Sequence, residues 1–512
     1  MTPKKLLPVV AGLLAIGSVL TLNSCQDHRM APDPATVPDV TVYALNDVNQ
    51  LVRFSVRTPT ATTPISISGT MQDERILAID FRPATGQLYG VSNQSRMYTI
   101  NPMTGRVQPI NMNTTPFTPA LSGTIVGLDF NPTVDRIRLV TNMGQDLRLN
   151  PETGTVAATD GMISGPMGVA VSEVAYTNNF AGATSTTLYD IDPATDRLYI
   201  QNPPNNGTLV DVGPLGLDIT GAAGFDISPT DNTQGLVAVT FNGASELQQI
   251  NLSTGRLQKL GNLPGNIIGL AIPTQPTAYA VDGSNNLLIF NPMSPAPVTK
   301  SIAGLQSGES IVGIDQRPVN GQLYALGSTS RLYTIAVTAT ASWSAVAVGS
   351  AGAFTLSGTD FGFDFNPTVD RIRVVSNTGQ NLRLNPMDGS LTATDGNLNP
   401  GTPNVSAAAY TNNFAGAATT MLYDIDVRPG SAVLLQQNAN PGILTTVGPL
   451  GIEVESANGF DIGGASNLAY ALLRSGGTTR VYSINLTNGA ATAGMALPGN
   501  PTVRGFALGL GF

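Results

Sequence analysis

The chain has one cysteine, one histidine and one tryptophan in 512 residues, and only 12% of it is charged. Each scarcity excludes a class of chemistry. With Cys25 alone, no intramolecular disulfide can form. The single histidine, His28, lies ahead of the folded part, so a Ser-His-Asp triad and a histidine-ligated metal are both excluded there. No stretch carries convincing helical periodicity, and no Gly-rich phosphate loop falls between a strand and a helix. A net charge of −9 and a pI near 4.7 argue against a nucleic-acid partner. No cofactor and no metal is expected.

The one long apolar run is at the start. Lys4 and Lys5 precede Leu6 to Leu22, and Leu-Asn-Ser-Cys follows at 22–25. A basic start, an apolar centre and a small residue before the cut describe a secretory signal over residues 1–24. The run resembles a bacterial lipoprotein signal, which implies acylation of Cys25 as the new N-terminus, although Asn23 is not a typical residue for such a site. An uncleaved anchor is the competing reading. Interrupted by Pro8, Gly12 and Gly17, the run falls short of the roughly 20 apolar residues a span needs. Residues 25–39 form a tether stiffened by Pro32, Pro34 and Pro38. Removal of Lys4 and Lys5 takes the net charge from −9 to −11. The expected location is the cell envelope, as an outer-membrane-attached lipoprotein with the lipid as the only contact with membrane.

Glycine (55) and proline (36) are plentiful, and with 42% hydrophobic residues the chain is too apolar for disorder and suits an all-β protein rich in turns. Asp129 to Pro151, DFNPTVDRIRLVTNMGQDLRLNP, recurs at Asp364 to Pro386 with four mild changes. The offset is 235 residues, and it holds within one residue across most of the chain. Short apolar runs alternate with turns such as RPATG at 82–86 and NPMTG at 101–105. Strand openers recur as IVGLDF at 125, GFDI at 224, IVGID at 311, FGFDF at 361 and GFDI at 459. Counting openers yields five units of about 47 residues per half, the length of a four-stranded propeller blade. Each half begins without an opener, at TVYAL (41) and TAYAV (277), and ends on a spare one, at 267–272 and 503–510. The last strand of each half is therefore expected to complete its first sheet and remove a free edge. The fold expected is all-β and propeller-like: two tandem five-bladed units over 40–273 and 274–512, or alternatively one ring of ten blades.

GLDFNPTVDRIR, GQ(D/N)LRLNP, AYTNNFAG, LYDID and GPLG, each present twice, resemble the bacterial domain-of-unknown-function family 4394. The resemblance spans about residues 40 to 510. It implies a propeller-like, often exported all-β domain, and no catalytic residues to carry over.

Four sets of residues carry candidate chemistry. The openers place Asp80, Asp129, Asp226, Asp315, Asp364 and Asp461 at matching points. They either form a carboxylate ring near the axis or, as architecture, cap the turns that follow. Asp135, Arg136, Arg138 and Arg148 recur as Asp370, Arg371, Arg373 and Arg383. Strand alternation sets the arginines opposite Ile137 and Leu139, where they brace adjacent strands or contact an anion. AYTNNFAG contributes the candidate binding residues Asn178, Asn179, Phe180, Asn412, Asn413 and Phe414: two amides beside a ring can hold a sugar, or pin a long loop. Of seven glutamates only Glu74 is duplicated as glutamate, at Glu309, which with Asp80 and Asp315 forms the candidate carboxylate site. A glycosidase needs two carboxyls roughly 5 to 9.5 Å apart in an open pocket. The function expected is display of a glycan- or protein-binding surface, with a carboxylate-dependent carbohydrate-active enzyme as the alternative.

Overall fold

Short apolar runs bounded by turns become 40 strands among the described residues, with only two three-residue 3-10 turns, at Ile110–Met112 and Pro204–Asn206. The computed structural model describes residues 37–338, 340–455 and 459–512. The signal, Cys25, His28 and the tether as far as residue 36 lie outside the described residues. Among those described, no helix is long and apolar enough to cross a membrane.

One unit shows the pattern. Ile76–Phe81, Leu88–Ser92, Met97–Ile100 and Val107–Pro109 form a four-stranded antiparallel meander in chain order. Every residue of Ile76–Phe81 is buried, whereas Thr155–Thr159, the outermost strand of the next sheet, buries none. A first strand covered on both faces tolerates a continuous apolar run, and a last strand facing water alternates. Val126–Asn131, Glu173–Tyr176 and Gly221–Ile227 open three more such sheets.

The two ends of each half meet as expected. Ile267–Ala271 pairs antiparallel with Thr41–Asn46, with Leu270 opposite Ala44. Val503–Leu508 pairs with Ala278–Asp282, with Ala507 opposite Tyr279. The first strands then touch in a closed circuit. Ile76–Phe81 meets Val126–Asn131, then follow Glu173–Tyr176, Gly221–Ile227 and Ile267–Ala271, which returns to Ile76–Phe81. The second half repeats this with Ile311–Gln316, Phe361–Asn366, Val405–Tyr410, Gly459–Ile462 and Val503–Leu508. The approach is tight at Gly224 (φ +85°), where a Cβ would lie 2.0 Å from the Leu270 amide nitrogen. The second half departs from the simple pattern at one edge. Ser301–Ala303 pairs parallel with Ser342–Ser344, joining two sheets into one of eight strands and covering two outer edges at once.

The halves are joined through two equivalent turns, 82–86 and 317–321. Tyr279 Oη donates to Ala84 O at 2.7 Å, Gln316 Nε2 donates to Ala84 O at 3.1 Å and Gly511 N donates to Thr85 O at 2.8 Å. Arg82 Nη1 reaches back to Asn320 O at 3.1 Å.

Candidate functional site

The opener aspartates do not cap the turns that follow them. They tie one sheet to the next at the centre of each half. Asp80 accepts from its neighbour Phe81 N at 2.7 Å and, through its other oxygen, from Phe130 N of the next sheet at 2.8 Å. Asp226 does the same with Ile227 N and Ile272 N, both at 2.6 Å. Asp315 and Asp461 repeat these contacts, and Asp364 Oδ1 accepts from Tyr410 N at 3.0 Å. Turn capping is a local guess. The amide that matters lies about 50 residues away and is reached only through packing of the inner strands.

These links converge. Carboxylate oxygens of Asp80, Asp129 and Asp226 all lie within 4.8 Å of one another, as do those of Asp315, Asp364 and Asp461. All six side chains are buried. Burial holds Asp226 and Asp461 at pKa values of about 7. Burial, then the neighbouring carboxylate (Asp226 or Asp461), pushes Asp80 and Asp315 well above the usual range. Asp129 and Asp364 are raised in the same way, burial first and then Asp80 or Asp315. Tyr176 N stands against Asp129 from the next sheet, the counterpart of Tyr410 N at Asp364.

The duplicated arginines brace the sheets. Arg148 grips Asp160 with two bonds, of 2.8 and 2.9 Å, and Arg383 grips Asp395 at 2.7 and 2.9 Å. Arg138, 1% exposed, bonds Asp146 at 2.5 Å and Asp160 at 2.7 Å, and crosses to Asn205 of the next sheet. Ile137 and Leu139 face the core, as alternation requires. Arg136 donates to the Asp135 backbone carbonyl at 2.8 Å. The Asp135 carboxylate instead receives Arg82, and Asp370 receives Arg317, pairings that the spacing of the sequence concealed.

Glu74 and Glu309 are held within their own sheets. Glu74 accepts from Tyr98 Oη at 2.7 Å, from Arg96 at 3.3 Å and from Ser92 Oγ. Glu309 accepts from Thr329 Oγ1 at 2.6 Å and Tyr333 Oη at 3.0 Å. With Asp80 and Asp315 pointing to the axis, the carboxylates proposed as a pair serve separate networks.

The AYTNNFAG loops divide their labour residue by residue. Asn178 Nδ2 donates to Ser185 O at 2.9 Å, and its N–H donates to Asn232 Oδ1 at 2.8 Å. Asn412 repeats both bonds with Thr419 and Asn467. These asparagines, at φ 56° and 54°, pin the loop in a left-handed turn that Asn tolerates. Asn179 and Asn413 are buried. Asn179 sits beside Asp226, where its amide group helps hold the charged form, and its Oδ1 has no partner.

Phe180 and Phe414, both half-buried, reach the joint between halves from opposite sides. Phe180 lines a hollow of about 210 Å3 with Ile289 and Val298. Phe414 lines a cleft of about 390 Å3 whose other walls, from the first half, include Tyr43, Asn101, Arg106 and Gln108. Phe512 and Gln275 complete it. Apart from Phe414, none of these cleft residues is among the sequence's candidates for binding; Tyr43 and Asn101 read there only as strand and turn.

The family described as a domain of unknown function, DUF4394, matches residues 50–271 and 286–507. The chain belongs to this family. The two matched stretches follow the internal repeat, one in each half. No curated protein matches the chain. Among solved structures, a protein from Lactobacillus plantarum is similar at 14% identity and a TM-score of 0.28, covering 65% of this chain and 98% of its own. A putative 6-phosphogluconolactonase from Bacteroides fragilis is similar at 11% identity and a TM-score of 0.28, covering 64% of this chain and 94% of its own. The extracellular domain of a putative hybrid two-component system from B. thetaiotaomicron is similar at 12% identity and a TM-score of 0.25, covering 90% and 66%. Likeness at this level says nothing of what this chain binds.

Proposed function

We propose that the chain is an exported, lipid-anchored binding module in which two five-bladed propellers, 40–273 and 274–512, hold a short glycan in the cleft between them. The observation that carries this reading is the 390 Å3 cleft walled by both halves, whose lining brings together Phe414, the amides of Asn101 and Gln108, and Arg106. Its size suits a small ligand rather than a protein surface, since small-molecule sites run from about 300 to 1,000 Å3. The ring of Phe414 offers a stacking face for sugar C–H groups, while Asn101, Gln108 and Arg106 offer donors for hydroxyls or an acidic substituent. Two separate rings are supported by the two closed circuits of inner strands, each completed within its own half.

A glycan array probed with the chain from Gln26 onward tests the binding. Phe414→Ala and Gln108→Ala should each weaken retention about tenfold, the scale of one lost aromatic or polar contact. Retention of no glycan, or undiminished binding by both variants, overturns the reading. The anchor is tested separately: labelled palmitate should enter the wild type and not Cys25→Ser, and an unlabelled wild type ends the lipoprotein proposal.

A further inference from the structure

We propose that the centre of each half is a binding site for one calcium-sized divalent cation, held by Asp80, Asp129 and Asp226 with the Asn179 amide in the first half. The repeat supplies Asp315, Asp364 and Asp461 with Asn413 in the second.

The argument starts from distance. Calcium takes oxygen ligands at about 2.3–2.6 Å, so two oxygens on opposite sides of the ion stand roughly 4.6–5.2 Å apart. Three carboxylate oxygens within 4.8 Å of one another can therefore all touch one ion at their centre without moving far. Magnesium, at about 2.0–2.1 Å, needs a smaller cage and keeps its waters, which this buried centre has little room for.

The second ground is the state of the donors. Asp80 and Asp226 each take one backbone N–H on each oxygen, Asp129 is approached by Tyr176 N alone, and the fully buried Asn179 turns its amide group to Asp226 while its Oδ1 has no partner. Asn413, at the matching position, is 1% exposed and its Oδ1 is also without a partner. Buried polar atoms in native proteins are ordinarily paired, so a buried amide oxygen without a partner at the same position of both repeats points to a ligand. Among the described residues no Arg or Lys forms an ion pair with any of the six aspartates. An amide oxygen and carboxylate oxygens are a hard-cation donor set.

The third ground is space. In the second half a hollow of about 10 Å3 lies among all five inner strands, lined by Gly313, Gly362, Ala407, Gly459 and Gly505, and three of these glycines stand two residues before Asp315, Asp364 and Asp461. That is room for one water-sized sphere, next in sequence to residues that flank the three aspartates. A Cβ at Gly313, Gly362 or Gly459 would come within 2.6 Å of Phe363, Ala408 or Phe506, so these glycines let the inner strands approach one another beside the aspartates.

The test uses the whole mature chain. Protein unfolded in denaturant with EDTA and refolded in metal-free buffer is titrated with calcium chloride by calorimetry, and its melting temperature is followed in parallel. Metal content is measured before and after. Two calcium ions per chain and a rise in melting temperature are expected. Asp129→Asn should lower the stoichiometry to one, and Asp129→Asn with Asp364→Asn to none, each with an unchanged circular dichroism spectrum. Should either aspartate variant misfold, Asn179→Ala serves instead: it should weaken one of the two sites about tenfold and leave the other unaltered. A metal-free wild type that folds, takes up no calcium at millimolar concentration and shows no thermal shift overturns the proposal, because the carboxyls then hold protons alone. A stoichiometry of two that survives in the folded double variant also overturns it, since the ions then sit elsewhere.

Discussion

Replacing Asp146 with asparagine asks the first half to adopt what the second already has. Asp146 is matched by Asn381, and both bond the buried arginine of the repeat: Arg138 to Asp146 at 2.5 Å, Arg373 to Asn381 Oδ1 at 2.6 Å. Asn381 also donates to Gly396 O and Ala439 O, both at 2.9 Å, so the repeat supplies carbonyls for the amide of an Asp146→Asn variant as well. Burial raises the Asp146 pKa from 3.8 to about 6 despite the pull of Arg138. The folded chain therefore holds this proton more tightly than the unfolded one. Stability from the group is complete below about pH 4 and is lost as pH rises through about 6. At about 1.4 kcal/mol per pH unit, the gap between 3.8 and about 6 is worth at most about 3 kcal/mol above pH 6. Asparagine does not titrate and escapes that loss. Asp146→Asn should match the wild type near pH 4 and exceed it by roughly 1–3 kcal/mol near pH 7.5. Urea unfolding at several pH values, followed by circular dichroism, reads the difference. The sole tryptophan, Trp343, is buried in the second half, so its fluorescence transition should stay put. A variant less stable than wild type near pH 7.5, or a difference independent of pH, would refute the reasoning and show that Arg138 requires a full negative charge at 146.

Two further outcomes follow from packing. Arg82→Ala leaves Asp135, whose side chain is 4% exposed, without its buried partner, and should cost about 3–5 kcal/mol in urea unfolding. Arg317→Ala should cost measurably less, because the Asp370 side chain is 28% exposed and water can replace the lost guanidinium; equal costs would show that burial is not what separates the two pairs. Deleting Val503–Phe512 removes the strand that pairs with Ala278–Asp282, so limited proteolysis should degrade the second half and leave a folded fragment over 40–273. Simultaneous loss of both halves would sink the proposal of two separate rings.

Much of the architecture is legible in the residues themselves. Strands, turns, the 235-residue repeat and the spare closing strands follow from alternation over a few residues and from self-similarity, both of which are local signals. Alternation also decides which face Arg138 takes, but bracing and anion contact both stay open until the fold sets Asp146, Asp160 and Asn205 around it. The destinations of the other polar residues are not legible. Asp80 bonds an amide 50 residues away, Arg82 reaches Asp135 and the carbonyl of Asn320, and Phe414 and Gln108 line one cleft from opposite halves. No period in the sequence encodes which inner strands converge on an axis or which turns of two equivalent halves dock. Those contacts exist only once the sheets have closed, and the closure is what gathers three aspartates within 4.8 Å and opens a cleft between the halves.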